Sequence, residues 1–124
     1  MDKTEGTRYS LINTRTDTLV VSALFEPRGF LGRARGLIGT RELRSEQGML
    51  LRPCSMVHMF FMRYPIDVVF CDNALEVLHL CSNLRPWRLS PYISDASIVI
   101  ELSAGRIEDC QLQVGDVLKM ERAG

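Results

Sequence analysis

The residues best suited to chemistry lie inside the most apolar stretch of the chain. Residues 58–70, HMFFMRYPIDVVF, carry His58, Arg63 and Asp67 among aromatic and aliphatic neighbours. A charge that is buried without a partner costs several kcal/mol, unless its pKa shifts and it becomes neutral. We therefore expect the Asp67 carboxylate to be hydrogen-bonded, ion-paired or placed at a solvent-filled cleft.

Two kinds of partner are available to Asp67. Arg63 is the nearest cation in the sequence, but four extended residues span roughly 13 Å, which is too far for contact. A bend at Pro65 would bring the two charges closer together. Backbone N–H groups near the bend are the alternative, because a carboxylate forms strong charge-assisted hydrogen bonds with them.

Glu101 is a second carboxyl group with apolar neighbours. It stands between Ile100 and Leu102, just before the small residues at 103–105. If Asp67 and Glu101 face one cleft, they form an acid/base pair or a ligand-binding pair. The alternative is that each carboxylate caps a loop through backbone hydrogen bonds.

His58 and Trp87 are further candidates. His58 is suited to act as a general base or a ligand, although a lone histidine at the start of a strand is also typical of a hydrogen-bonded structural residue. Trp87 stands in a predicted loop, where it would stack on a ligand or pack over the core as a lid. The candidate ligand-binding set is therefore Arg63, Asp67, Glu101, His58 and Trp87.

Short strands are the elements that must position these side chains. Alternating or continuous apolar patterns predict eight strands, at residues 8–15, 18–26, 48–53, 57–62, 66–70, 75–81, 96–102 and 117–121. Helical spacing predicts one amphipathic helix over 29–38, and residues 103–110 read as a short turn or helical turn. The pattern favours a mainly β (β-rich α+β) fold, a small barrel- or sandwich-like sheet with one packed helix.

Length and charge restrict the class of protein. A chain of 124 residues fits a single domain spanning residues 1–124, because two halves would each have too small a core. The formal net charge is zero, which argues against non-specific nucleic-acid binding. No signal peptide or apolar run of about 18–20 residues is present, so we expect no membrane span and a cytoplasmic location.

The cysteines and histidines form no metal-binding pattern. The four cysteines have no C-x-x-C spacing, and the two histidines are far apart in the sequence. We expect reduced structural thiols, no metal and no cofactor. The cysteines are Cys54, Cys71, Cys81 and Cys110.

Several short motifs follow one another in a recognisable order. They are GLIG (36–39), GML (48–50), MR (62–63), PIDVVF (65–70), VIELSAG (99–105) and VGD (114–116). The ordered set resembles the family called domain of unknown function 192. The resemblance implies a single small β-rich domain and brings no established activity. It places the family's Met-Lys/Arg pair at Met62 and Arg63, its Pro-Leu/Ile-Asp at 65–67, its Glu-Leu-x-Ala-Gly at 101–105 and its Gly-Asp at 115–116.

This sequence departs from the family pattern in two places. Many members carry an aromatic-Trp-Met-Lys-Asn-Thr run before the proline, whereas FFMRYP (60–65) is shorter and lacks the Asn-Thr pair. The turn after the central strand often contains Asp-Gly, but here Leu75 stands where a glycine is expected.

Three functions are compatible with these residues. The favoured one is a non-enzymatic binding or accessory module, whose cleft holds a small polar ligand or a segment of a protein partner. The second is a hydrolase that uses Asp67 and Glu101 as its acid/base pair, although no G-x-S-x-G, P-loop, H-E-x-x-H or G-x-G-x-x-G motif is present. The third is an assembly factor that docks through its arginine-rich region, which contains Arg28, Arg33, Arg35, Arg41 and Arg44.

Overall fold

The computed structural model describes residues 6–27 and 42–122. Within them the chain forms seven β-strands and one short helix, connected by turns and loops. The strands are β1 (Gly6–Asn13), β2 (Thr18–Pro27), β3 (Gln47–Leu51), β4 (Ile66–Cys71), β5 (Val77–Leu84), β6 (Ile98–Ser103) and β7 (Leu118–Arg122); the helix is α1 (Arg106–Asp109). The predicted mainly β fold is confirmed, and so is the helical turn after β6. The helix predicted over 29–38 and the arginines from 28 to 41 lie outside the described residues.

All seven strands belong to one curved sheet. Their order is β5-β4-β6-β3-β2-β1-β7, and the β2/β3 pair is parallel whereas the other neighbours are antiparallel. The two outermost strands approach each other at one end, where an isolated bridge joins Glu76 to Val117 and the Val77 N–H donates to the Asp116 carbonyl (2.8 Å). The sheet therefore forms a half-barrel, in agreement with the predicted barrel-like shape.

Each face of the sheet carries its own hydrophobic cluster, because successive side chains of a strand point to opposite faces. The first cluster contains Leu11, Val20, Val21, Leu24, Leu50, Val69, Ile100 and Leu102, and it is extended by Ile107 of α1. The second cluster contains Met49, Leu51, Val57, Met59, Met62, Tyr64, Ile66, Val68, Phe70, Ala96 and Val99. Two loop segments, 54–64 and 85–96, contribute to the second cluster and cover it.

The strand predicted at 57–62 is wrong. Only His58 makes an isolated bridge there, to Leu89, and the chain then turns, with the Met62 N–H donating to the Met59 carbonyl (3.2 Å). Because of the turn, the side chains of this segment do not alternate between two faces as they would in a strand. Val57, Met59 and Met62 are buried in the second cluster, whereas Phe60 and Phe61 are exposed.

Leu75, at the position where the family often has glycine, adopts the backbone conformation that glycine favours. Its φ is 63°, in the left-handed region that is unusual for an aliphatic residue. The turn around it is held by Asp72, whose Oδ1 accepts hydrogen bonds from the N–H groups of Ala74 and Glu76 (both 2.9 Å). The Leu75 side chain packs against the first cluster, which offsets the strain of its backbone.

Candidate functional site

Asp67 lies on β4, the second strand from one edge of the sheet, between β5 and β6, and is only 1% exposed. Its Oδ1 accepts a hydrogen bond from the N–H of Asn83 (2.8 Å). Its Oδ2 accepts two more, from the N–H groups of Gly105 (3.1 Å) and Ile107 (2.9 Å). Three backbone donors therefore satisfy the buried carboxylate.

These bonds connect Asp67 to two bends of the main chain. Asn83 near the end of β5 and Gly105 after β6 both have positive φ, at 53° and 94°. Asp67 thus has the structural role that the sequence left open as an alternative, the capping of loops through backbone N–H groups. Arg63 takes no part in this, since it is exposed and forms no ion pair among residues 6–27 and 42–122.

Asp67 and Glu101 are on opposite faces of the sheet. In the β4/β6 register Asp67 lies opposite Leu102, and Glu101 lies opposite Val68. Directly opposed residues of antiparallel strands share a face, so Asp67 is on the side of the first cluster and Glu101 on the side of the second. The acid/base or ligand-binding pair that the sequence left open is therefore not formed, because residues one position apart in the β4/β6 register point to opposite faces.

Glu101 has none of the hydrogen bonds that stabilise Asp67. It is 6% exposed, its nearest neighbours across the sheet are Met49 and Val68, and no described group donates a hydrogen bond to its carboxyl. Burial alone raises the pKa of Glu101 from 4.5 to about 7.

His58 and Trp87 come together with two phenylalanines on the outside of the covering loops. The His58 ring stacks on Phe60 (centroids 5.0 Å apart), and the Trp87 ring lies 6.1 Å from Phe60 and 4.9 Å from Phe61. Phe61 is 65% exposed and Trp87 is 59% exposed. We call His58, Phe60, Phe61 and Trp87 the aromatic surface.

Two adjacent turns present these rings. The first places Phe61 at its third position with φ 67°, and the second, opened by Arg85 and Pro86, places Trp87 at its third position with φ 68°. Positive φ at this position normally selects glycine or asparagine. The turns are joined by the Trp87 N–H, which donates to the Met59 carbonyl (2.7 Å).

The surroundings of the aromatic surface are apolar and basic. The two covering loops, 54–64 and 85–96, include three exposed arginines, Arg63, Arg85 and Arg88, and one exposed carboxylate, Asp95. Three further exposed apolar residues belong to the same segments, Met56, Leu89 and Tyr92. The sequence indicated Arg63, His58 and Trp87 as site residues. It missed Phe60 and Phe61, because the apolar pattern over 57–62 was interpreted as a strand and not as a turn. For the turn that presents Trp87, the available signal was Pro86 at the second position.

The cysteines are distributed over the fold. Cys71 and Cys110 are buried, and burial raises the pKa of Cys71 to about 12. Within 6–27 and 42–122, no group of three or more His, Cys, Asp or Glu side chains is arranged to hold a metal ion. In the same residues, no helix is long and apolar enough to cross a bilayer.

The fold and these sites define a class: a small mainly β protein, in which a buried carboxylate joins the ends of two strands of a half-barrel sheet and exposed aromatic turns lie on one side. The chain belongs to the family described as Uncharacterized ACR, COG1430, the domain of unknown function 192, whose model matches residues 15–120.

Curated relatives agree with this assignment. A UPF0127 protein of Thermococcus sibiricus is 34% identical over 96 residues, covering 74% of this chain and 62% of that protein, and one of Pyrococcus furiosus is 39% identical over 66 residues, covering 53% and 56%. The chain thus spans about 60% of the length of these curated relatives.

Two crystal structures are similar in fold. A protein of unknown function from Novosphingobium aromaticivorans has a TM-score of 0.76 at 20% identity, covering 90% of this chain and 83% of that one. A protein from Sinorhizobium meliloti, described as a candidate transcription regulator, has a TM-score of 0.75 at 23% identity, covering 92% of each chain. At these identities the likeness concerns the fold alone.

The three hydrogen bonds of Asp67 predict a large loss of stability when its charge is removed. Asp67→Asn keeps the size and shape of the side chain. Both carboxylate oxygens accept from backbone N–H groups, so the NH₂ group of asparagine would face a backbone donor and lose at least one hydrogen bond. We expect a loss of about 2–4 kcal/mol in the free energy of unfolding, measured by chemical denaturation. Asp72→Asn is the control, since Oδ1 alone accepts both bonds there, and we expect it to cost no more than about 1 kcal/mol. Equal losses in the two variants would contradict the role of Asp67.

The surroundings of Glu101 predict a pH-dependent stability. Its folded pKa lies above the ordinary value, so the neutral carboxyl contributes stability that is present below about pH 4.5 and lost as the pH rises through about 7. Relative to Glu101→Gln, the wild-type protein should lose about 3 kcal/mol over this range. Denaturation curves at several pH values measure this difference, with Glu121→Gln on the exposed part of β7 as the control. Parallel profiles for wild type and Glu101→Gln would disprove it.

Proposed function

We propose that this chain is a single-domain, non-enzymatic binding module that docks an acidic, apolar segment of a partner protein on its aromatic surface. The observation that carries the proposal is the exposure of Phe61 and Trp87 side by side on two turns with positive φ. An aromatic residue at such a position costs roughly 1–3 kcal/mol of backbone strain, and strain of this kind is concentrated at binding sites. Folding alone gains little from holding these rings in water.

The composition of the surface favours a protein partner. Tryptophan, tyrosine and arginine are enriched among the residues that dominate the binding energy of protein interfaces. Trp87 and Tyr92 supply large aromatic rings. Arg88, in the second segment, is held beside the first, because its backbone carbonyl accepts a hydrogen bond from the Met59 N–H (2.8 Å). Rings that are already fixed on a rigid turn lose little conformational entropy on binding.

The charge of the surface favours an acidic partner. The two covering loops carry three exposed arginines against one carboxylate, Asp95, so an acidic chain would complement their net positive charge. A second copy of this chain fits poorly, because a two-fold interface would bring the same arginines together. Nucleic acid fits less well than protein, because the formal net charge of zero gives no long-range basic field.

The other expected site residues have different places in this proposal. Asp67 positions the ends of β5 and β6 and does not touch the partner. Glu101 lies beneath the covering loops, on the side of the second cluster. The hydrolase alternative receives no support, since its two carboxyl groups are on opposite faces of the sheet.

Short synthetic peptides test the proposal. One set combines Asp and Glu with Trp, Phe and Leu, and a matched set replaces each acidic residue by Lys. We expect the wild-type protein to select peptides of the acidic set, with affinity that falls as salt is raised. Phe61→Asn and Trp87→Asn should weaken the best peptides by at least about tenfold, which is about 1.4 kcal/mol each.

The variants are designed to separate binding from stability. Asparagine accepts positive φ, so the two changes remove the rings and keep the turns, and we expect the melting temperature to be unchanged or raised. Val114→Ser is the control for removing an exposed apolar side chain. Val114 is 63% exposed, but it lies near the start of β5, whereas Trp87 follows the end of β5. Peptide binding that survives both asparagine variants would reject the proposal, as would selective binding of single-stranded oligonucleotides or anionic vesicles in place of the acidic peptides.

A further inference from the structure

A row of side chains crosses the sheet at Glu101, beneath the covering loops. The pairings place Phe25 beside Met49, Met49 beside Glu101, Glu101 beside Val68, and Val68 beside Cys81. The row spans five neighbouring strands, which are β2, β3, β6, β4 and β5 in sheet order. Glu101 at its centre carries the only carboxyl group in the row. Phe25 and Cys81 at its two ends are only partly buried.

The carboxyl of Glu101 has hydrogen-bonding capacity that no described residue uses. In residues 6–27 and 42–122, every fully buried side-chain nitrogen or oxygen has a hydrogen-bond partner. Glu101, which lacks one, therefore keeps a small contact with solvent although the residue is 6% exposed. A deeply placed carboxyl that is unpaired yet reachable is the arrangement expected of a group that receives a ligand.

We propose that Glu101 anchors a ligand site for small organic cations, compounds with one ammonium or guanidinium group on an apolar body. An ionised carboxylate is only an acceptor, so its complement in an apolar site is a group with several N–H donors and a positive charge. The phenyl ring of Phe25 and the thioether of Met49 are polarisable neighbours that tolerate a cation. Val68 is fully buried, so the apolar body of such a ligand would contact Phe25, which is only partly buried at the end of the row.

The site has a defined dependence on pH. A cation binds the ionised form of Glu101, so its affinity should rise as the pH approaches about 7 and level off above it. The other ionisable side chains on or against this face are His79, Tyr64, Cys54 and Cys81. Tyrosine and cysteine side chains ordinarily ionise above about pH 8, whereas an imidazole that takes up a proton would also repel a cation. The Glu101→Gln variant separates the two effects.

The experiment uses the intact chain, labelled with ¹³C at the glutamate carboxyls, and three probes. Benzylammonium and phenylguanidinium are the two cationic probes. Benzyl alcohol is the neutral counterpart of benzylammonium. We expect both cations to shift the Glu101 carboxyl resonance and to lower the pKa of Glu101 by at least about one unit, which is about a tenfold change in affinity between its two protonation states. Benzyl alcohol should bind at least about tenfold more weakly.

Variants identify the anchoring group. Glu101→Gln should weaken the binding of both cations by at least about tenfold, whereas Glu121→Gln and Trp87→Asn should bind them as the wild type does. The last variant keeps this inference separate from the proposed docking function, because it removes the aromatic surface alone. The titration of wild-type Glu101 needs no variant, so it decides the question even if Glu101→Gln does not fold. Equal binding of the cation and the alcohol, or no binding of either cation, would overturn the inference.

Discussion

The structure depends on the convergence of three backbone N–H groups on the carboxylate of Asp67. Two of them come from the bend after β6, at Gly105 and Ile107, and the third comes from Asn83 near the end of β5. Because a buried carboxylate is tolerated only with such partners, the position of Asp67 on β4 determines where both neighbouring strands end. The PIDVVF and VIELSAG motifs therefore meet in space through one side chain, and each needs the other to keep its geometry.

The two faces of the sheet have different surroundings as a result. On the side of Asp67, the first cluster fills the interior of the half-barrel and α1 adds Ile107 to it. On the side of Glu101, the second cluster is covered by loops, whose backbone bonds pair Met59 with Arg88 and Val57 with Ser90. Loops can change shape at lower cost than paired strands, so binding functions are usually found on them. Both proposed sites, the aromatic surface and the carboxyl of Glu101, belong to this second side.

The proposed sites use opposite electrostatic principles. The aromatic surface is exposed, and its arginines attract an acidic partner through a field that salt screens. Glu101 is surrounded by apolar side chains, where a lone charge is expensive and a matched opposite charge is correspondingly favourable. If both proposals hold, one chain presents two recognition surfaces of different chemistry on the same side of the sheet.

Local sequence determined most of the elements and one of the sites. Seven of the eight predicted strands, the helical turn after β6 and the need of Asp67 for buried partners all follow from apolar patterning and the cost of a buried charge. Tertiary structure decided which residues meet. The β4/β6 register places Asp67 and Glu101 on opposite faces of the sheet. A turn at 59–62 replaces the predicted strand and brings the exposed ring of Phe61 next to Trp87. The physical reason is that alternation within a strand is a local property, whereas register and the pairing of distant turns depend on contacts between segments far apart in the chain.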